Sequence, residues 1–182
     1  MKRHVKLLWW VLFWGVLFLL PSCVTVSTPA GHAEENETVR EGVAVEEGIL
    51  LPIVRVRADG ARRDEGSLVY VEFSGESGGI YFDIEPPVDL SGYANLLIPV
   101  KLTGGATFVI TTADANWNSA WTAGWGALYG TGEWETIIID ITNLSQAWGN
   151  MEWDPSRVSS MGIVLNRGSS IVFDTSRGIR AE

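Results

Sequence analysis

The stretch "ANLLIPVKLTGGATFVITTA", residues 94–113, decides the fold class. Its two apolar runs, 94–102 and 106–113, are short and rich in β-branched residues, with Gly104-Gly105 between them. That is the pattern of two strands joined by a tight turn, because glycine supplies the positive φ such turns need. In the second run Phe108 and Ile110 oppose Val109 and Thr111, an alternation that a pleated strand converts into two faces. Pro99 has no N–H, so the first run is expected at a sheet edge or to carry a bulge there. Six further runs share this character: "ILLPIVRV" (49–56), "SLVYVEF" (67–73), "GIYFDI" (79–84), "WETIIIDI" (134–141), "SMGIVLN" (160–166) and "SIVFD" (170–174). Gly-rich turn signals separate them, and "IVLNRGSSIVF" reads as a second hairpin around Arg167-Gly168. In "WETIIIDI", Ile137, Ile139 and Ile141 share one face, and Thr136, Ile138 and Asp140 the other. No long segment has a helical period. The expectation is an all-β domain, an antiparallel β-sandwich or barrel.

The chain ahead of these runs has a different character. Lys2, Arg3 and Lys6 precede an apolar run, Leu7–Leu20, broken only by Gly15. This is the layout of a secretory signal, and the run is shorter than the ~18 apolar residues that span a bilayer. "Leu20-Pro21-Ser22-Cys23" resembles a bacterial lipobox, with Pro21 where a small residue is usual. Cys23 is the one cysteine, so it has no intrachain disulfide partner and suits lipid attachment. Residues 1–22 are therefore read as a lipoprotein signal peptide, and the domain as exported and lipid-anchored to the bacterial cell envelope. Residues 23–47 carry six Glu and one Arg between positions 34 and 47 and no aromatic residue, the composition of an acidic flexible tether. Residues 48–182 then form one domain, long enough to bury a core without disulfides. Loss of Lys2, Arg3 and Lys6 lowers the formal charge of −9 by a further three. So acidic a chain does not suit nucleic acid, whose phosphates call for Lys and Arg.

"NWNSAWTAGWGALYG", residues 116–130, sets Trp117, Trp121, Trp125 and Tyr129 four apart among small and polar residues. Gly124, Gly126, Gly130 and the asparagines disfavour a helix, which leaves a strand or an irregular loop. An exposed aromatic patch on a secreted domain marks a binding surface. A sugar ring fits it: one face of C–H groups meets the indole, and the hydroxyl rim meets amide and carboxylate groups. Asp114, Asn116 and Asn118 are the candidate polar partners.

"DLSGYANLLIPVKL" (89–102), "GTGEWETIIIDITNL" (130–144) and "WDPSRVSSMGIVLNRGSSIVFD" (153–174) resemble, in this order, blocks of the jelly-roll carbohydrate-binding modules of bacterial glycan-degrading enzymes. The resemblance, to the galactose-binding-domain-like fold, covers about residues 65–175. It implies a jelly-roll sandwich. Asp89, Leu90 and Tyr93 would set a turn into an inner strand. Trp134, Trp148 and Trp153 would be packing residues, and the ligand aromatics would lie in the 114–130 loop. It also implies a structural calcium near Asp174, with Glu46 or Glu47 helping, although "TSRGIRAE" departs from the family's ending. Oxygen ligands of this kind suit Ca²⁺.

Enzymatic function is poorly supported. Without the leader the only histidine is His32, in the tether, which excludes a His-based triad or a His-rich zinc site within the domain. Paired carboxylates could serve a glycosidase, but Asp114 is the only one between Asp89 and Glu133. The functional expectation is non-catalytic binding of a polysaccharide or oligosaccharide, needing no cofactor for chemistry. The alternative is an envelope protein-interaction module using the same aromatic patch.

Overall fold

The computed structural model of the protein describes residues 48–74 and 78–182. The expected signal peptide, Cys23 and the expected tether with Glu46 and Glu47 lie outside the described residues. Twelve strands follow in order: β1 (Ile49–Leu50), β2 (Ile53–Asp59), β3 (Ala61–Glu65), β4 (Leu68–Glu72), β5 (Gly79–Val88), β6 (Asn95–Thr112), β7 (Ala120–Thr122), β8 (Leu128–Asp140), β9 (Ser145–Trp148), β10 (Val158–Leu165), β11 (Ser170–Asp174) and β12 (Arg180–Ala181). Every ladder is antiparallel.

β6 is the spine. Along one edge it carries β8, from Asn95↔Asp140 to Ala106↔Leu128, and then β7 at Ile110↔Trp121. Along the other edge it carries the C-terminal stretch: β10 against 106–112, β11 against 100–103 and β12 at Leu96 and Leu97. β10 extends to β5 and β2, and β11 to β4 and β3. The two wings fold over one another, so that Phe82 of β5 meets Phe173 of β11 edge-on at 4.7 Å. The architecture is a jelly-roll β-sandwich. Its core is filled by Phe82, Phe108, Phe173, Leu96, Ile98, Ile110 and Met161, all essentially without solvent contact. Burying each such side chain stabilises by about 1.5–3 kcal/mol.

The alternation in the sequence is realised. Ile139 and Ile141 are buried, Ile137 packs against the core, and Ile138 is exposed. Both expected hairpins are corrected. Residues 95–112 make one 18-residue strand, in which core-facing positions keep even parity from Leu96 through Ala106 to Ile110. Gly104 and Gly105 serve close approach instead of a turn. A Cβ on Gly104 would stand 2.5 Å from Ser169 Oγ, and one on Gly105 2.5 Å from Asn166 Nδ2. Likewise β10 and β11 do not pair with each other; they run in one direction along β6, with residues 166–169 as an irregularity between them. Pro99 lies on this central strand and not at an edge. It falls where the ladder to the C-terminal stretch breaks, between Val100↔Phe173 and Leu97↔Arg180.

Three strand ends, and the N-cap of the 3-10 turn Pro155–Arg157, carry the same device, written in the sequence as Asp-x-Ser/Thr. Oδ1 of Asp89, Asp140, Asp154 and Asp174 accepts the backbone N–H two residues ahead at 2.9–3.0 Å. Asp89, Asp140 and Asp174 also accept that residue's hydroxyl. Leu90 is fully buried and Tyr93 N–H donates to its carbonyl, so the 89–93 turn is structural. The Ser91 and Thr142 hydroxyls, then the backbone bonds, hold Asp89 and Asp140 below the usual carboxylate range; the Ser176 and Ser67 side chains, then the backbone bond, do so for Asp174, and Ser156 does so for Asp154. A lowered folded pKa adds stability that is complete above the unfolded value and is lost as pH falls through the folded one. The denaturant midpoint is therefore expected to hold steady from neutral pH down to about 5 and to fall below about 4. Asp89→Asn, Asp140→Asn and Asp154→Asn together flatten that acid limb, because the amide oxygen accepts the same bonds without titrating. A series of urea melts across pH checks this.

Candidate functional site

The outer face of the β2–β5–β10–β6 wing carries a polar row in register: Arg55↔Asp83, Asp83↔Ser160 and Ser160↔Thr111. In the next row Tyr81 pairs with Arg57 on one side and Gly162 on the other. The absence of a side chain at Gly162 is what lets the Tyr81 ring lean across β10. A Cβ there would lie 2.5 Å from Tyr81 Cδ1. Burial, and next the Asp59 carboxylate, raise the Tyr81 phenol above its ordinary pKa.

Residues 113–127 lie over the outer face of β6, so Thr107, Val109 and Thr111 are buried although they point away from the core. The threonines fasten this segment. Thr111 Oγ1 donates to the Ser119 carbonyl at 2.8 Å and accepts from Trp117 N–H at 3.2 Å, and Thr107 Oγ1 accepts from Gly126 N–H at 2.8 Å. Asn116 and Trp117 both adopt positive φ, 42° and 65°. Two consecutive non-glycine residues there store strain of order 1–3 kcal/mol each, which the surrounding bonds must hold. The result aims the Trp117 ring at Tyr81, 5.8 Å away and edge-on.

From Trp117 an aromatic row continues. Trp148 stacks on it at 6.2 Å with planes 21° apart, and Trp125 follows at 6.5 Å. Trp148 Nε1–H donates to the Trp117 carbonyl at 3.0 Å, which fixes the indole. The Tyr81–Trp117–Trp148–Trp125 row meets, at Trp117, an open groove of ≈ 850 Å³ lined also by Arg55, Arg57, Asp83, Glu85, Asn116 and Ser160 among others. Arg55 and Arg57 both grip Asp83: Arg55 Nε at 2.7 Å and Nη2 at 2.6 Å, Arg57 Nε at 3.0 Å and Nη2 at 2.9 Å. Burial alone would raise the Asp83 pKa, but the hydrogen bonds and charges of Arg57 and Arg55 outweigh it and hold the carboxyl low.

The expected platform is thus redistributed. Trp121 is 2% exposed and packs on Trp153 at 5.2 Å, so it belongs to the core and not to a ligand surface. Its place in β7, in register with Ile110, turns it inward. Trp125 is 64% exposed and Trp117 half-buried, both in the row; Tyr129 is 78% exposed on β8 but outside it. Asn116 lines the groove. Asn118 is exposed, and Asp114 is taken up by Arg157 at 2.8 Å, so neither is a groove residue. Trp148, expected to pack, is 37% exposed and central to the row, while Trp153 does pack. Trp134 is 40% exposed, with the Arg177 guanidinium 4.8 Å over its ring. Tyr81, Arg55, Arg57 and Asp83 were not singled out from the sequence. The alternation of "YFDIE" against Ile80, Phe82 and Ile84 was the signal that places Tyr81, Asp83 and Glu85 on one outward face.

Asp174 does not fit the implied calcium. Its Oδ1 already accepts both Ser176 donors and its Oδ2 faces Arg177 at 3.5 Å. Among the described residues no group of three or more His, Cys, Asp or Glu side chains comes together. The thermal midpoint is expected to be the same in EDTA and in millimolar calcium, as differential scanning calorimetry would show.

No family model matches the sequence, and no curated protein does. Solved structures do resemble the fold. The family 11 carbohydrate-binding module of the cellulosomal cellulase Lic26A-Cel5E of Clostridium thermocellum aligns with TM-score 0.50 and 11% identity, over 74% of this chain and 94% of that one. PfGH50B aligns with TM-score 0.52 and 13% identity, over 70% of this chain and 22% of that one. A family 29 carbohydrate binding module aligns with TM-score 0.49 and 11% identity, over 70% and 76%. At these identities the likeness concerns the fold alone: the domain is a jelly-roll β-sandwich of the kind found in carbohydrate-binding modules.

Proposed function

We propose that the domain binds glycan without catalysing its cleavage, along the row Tyr81–Trp117–Trp148–Trp125 and the groove beside it. The observation that carries this is the continuity of four aromatic rings, spaced 5.8, 6.2 and 6.5 Å apart, that meets a groove of hydrogen-bonding side chains at Trp117. Trp125 and the exposed part of Trp148 offer apolar surface to sugar C–H groups, and the groove beside Trp117 offers donors and acceptors to the hydroxyls. The only groove carboxylate held in a built environment, Asp83, is locked ionised between two arginines, which does not suit a general acid. Lipid attachment at Cys23 would hold this surface at the bacterial envelope, where it retains polysaccharide or oligosaccharide. Affinity electrophoresis of the detergent-solubilised full chain against a panel of soluble glycans tests the reading. Retardation by at least one glycan supports it. A folded chain retarded by none, yet retaining an envelope protein in a pull-down, would support a protein-docking surface instead.

A further inference from the structure

Resting on the glycan reading above, we propose that the groove selects uncharged glycans, and that Asp83 is the positioning residue that sets this selectivity. Arg55 and Arg57 approach it from neighbouring positions of β2, and each spends Nε and Nη2 on the one carboxylate. Ser160 adds a hydroxyl 3.3 Å from Asp83 Oδ1. The Asp83 side chain is 19% exposed, whereas those of Arg55 and Arg57 are 67% and 41% exposed. The latch therefore lies on the floor with the guanidinium edges turned to solvent, and Arg57 stands 5.5 Å from the Tyr81 ring at the head of the row. Held this way, the arginines present rigid N–H donors to sugar hydroxyls.

The same latch removes the positive field that would draw an anion. Arg55 and Arg57 on this face are matched by Asp83 between them, by Asp59 beside Tyr81 and by Glu85 one step along β5. Arg62, the next cation along the chain, is turned to the Val56 carbonyl and to Asp64. A uronate or sulfate entering the groove gains no unpaired cation and meets the carboxylates of Asp83 and Glu85, a like-charge cost that a hydroxyl does not incur.

The test uses polysaccharide pairs that share a backbone and differ in charge: hydroxyethylcellulose with carboxymethylcellulose, methyl-esterified pectin with polygalacturonate, and desulfated κ-carrageenan with κ-carrageenan. The full chain in detergent is titrated with each at low and high salt. Wild type is expected to prefer the uncharged member of any pair it binds by at least about tenfold, with little change as salt rises. In Asp83→Asn the preference shrinks by about tenfold or more, and binding of the charged member appears with strong salt dependence. Arg57→Gln weakens the uncharged ligand without admitting the charged one, which separates lost charge balance from a damaged groove. Circular dichroism confirms that each variant is folded. Equal or tighter binding of the charged members by wild type would overturn the proposal while leaving glycan binding intact. So would a folded Asp83→Asn whose preference is unmoved. If wild type binds neither member of any pair, the glycan reading falls together with the proposal.

Discussion

Trp148→Ala is expected to weaken glycan binding by about a hundredfold, while the domain stays folded and loses about 1–3 kcal/mol of stability. Trp148 is the middle of the row, touching Trp117 on one side and Trp125 on the other. Its removal deletes one ring face outright. It also frees the Trp117 carbonyl, whose bond from Trp148 Nε1 helps hold a backbone in the left-handed region. Stacking a flat ligand on one aromatic side chain is worth about 1–3 kcal/mol. Loss of one face and misplacement of the next brings the total to roughly 3 kcal/mol, or two decades in Kd. The ring is 37% exposed, so its truncation costs less than that of a fully buried tryptophan. Isothermal titration with a retarded glycan gives the affinity and urea melts give the stability. Trp134→Ala is the control, because that ring faces Arg177 and not the row.

Trp121→Ala has the opposite profile. The domain is expected to lose about 3–5 kcal/mol of stability, the cost of truncating a large buried aromatic. Trp121 is 2% exposed, lies against Trp153 and is paired across β7 and β6 with Ile110. Trp125→Ala, four residues on, is expected to cost under about 1 kcal/mol in the same melts, because that ring is already exposed. It should still weaken glycan binding by about tenfold. The pair separates two roles that share one spacing.

That spacing shows where sequence reasoning reaches and where it stops. Residues four apart share a face on a regular strand, but 113–127 is strand only at Ala120–Thr122, so Trp121 turns inward while Trp117 and Trp125 stay out. Alternation placed Ile137, Ile139 and Ile141 inward and Val109 and Thr111 on the outer face, because it depends only on the pleat. The glycine signals misled for a physical reason. Gly104-Gly105 satisfies equally a tight turn and a close backbone approach, and only the unbroken parity from Leu96 to Ile110 distinguishes them. Asn116, Trp117 and Trp125 were legible because they sit together in one segment. Arg55, Tyr81 and Asp83 come from distant strands, and Trp148 from β9. Only the registers Arg55↔Asp83 and Asp83↔Ser160 bring the groove side chains together, and only contacts with Trp117 set Tyr81 and Trp148 beside them.

The most direct test of the aromatic row is to watch the indole N–H resonances of the domain's six tryptophans by two-dimensional NMR as glycan is added. The row predicts shifts at Trp117, Trp125 and Trp148, with Trp121, Trp153 and Trp134 unmoved. Shifts confined to the latter three, or none at all with a glycan that demonstrably binds, would contradict it.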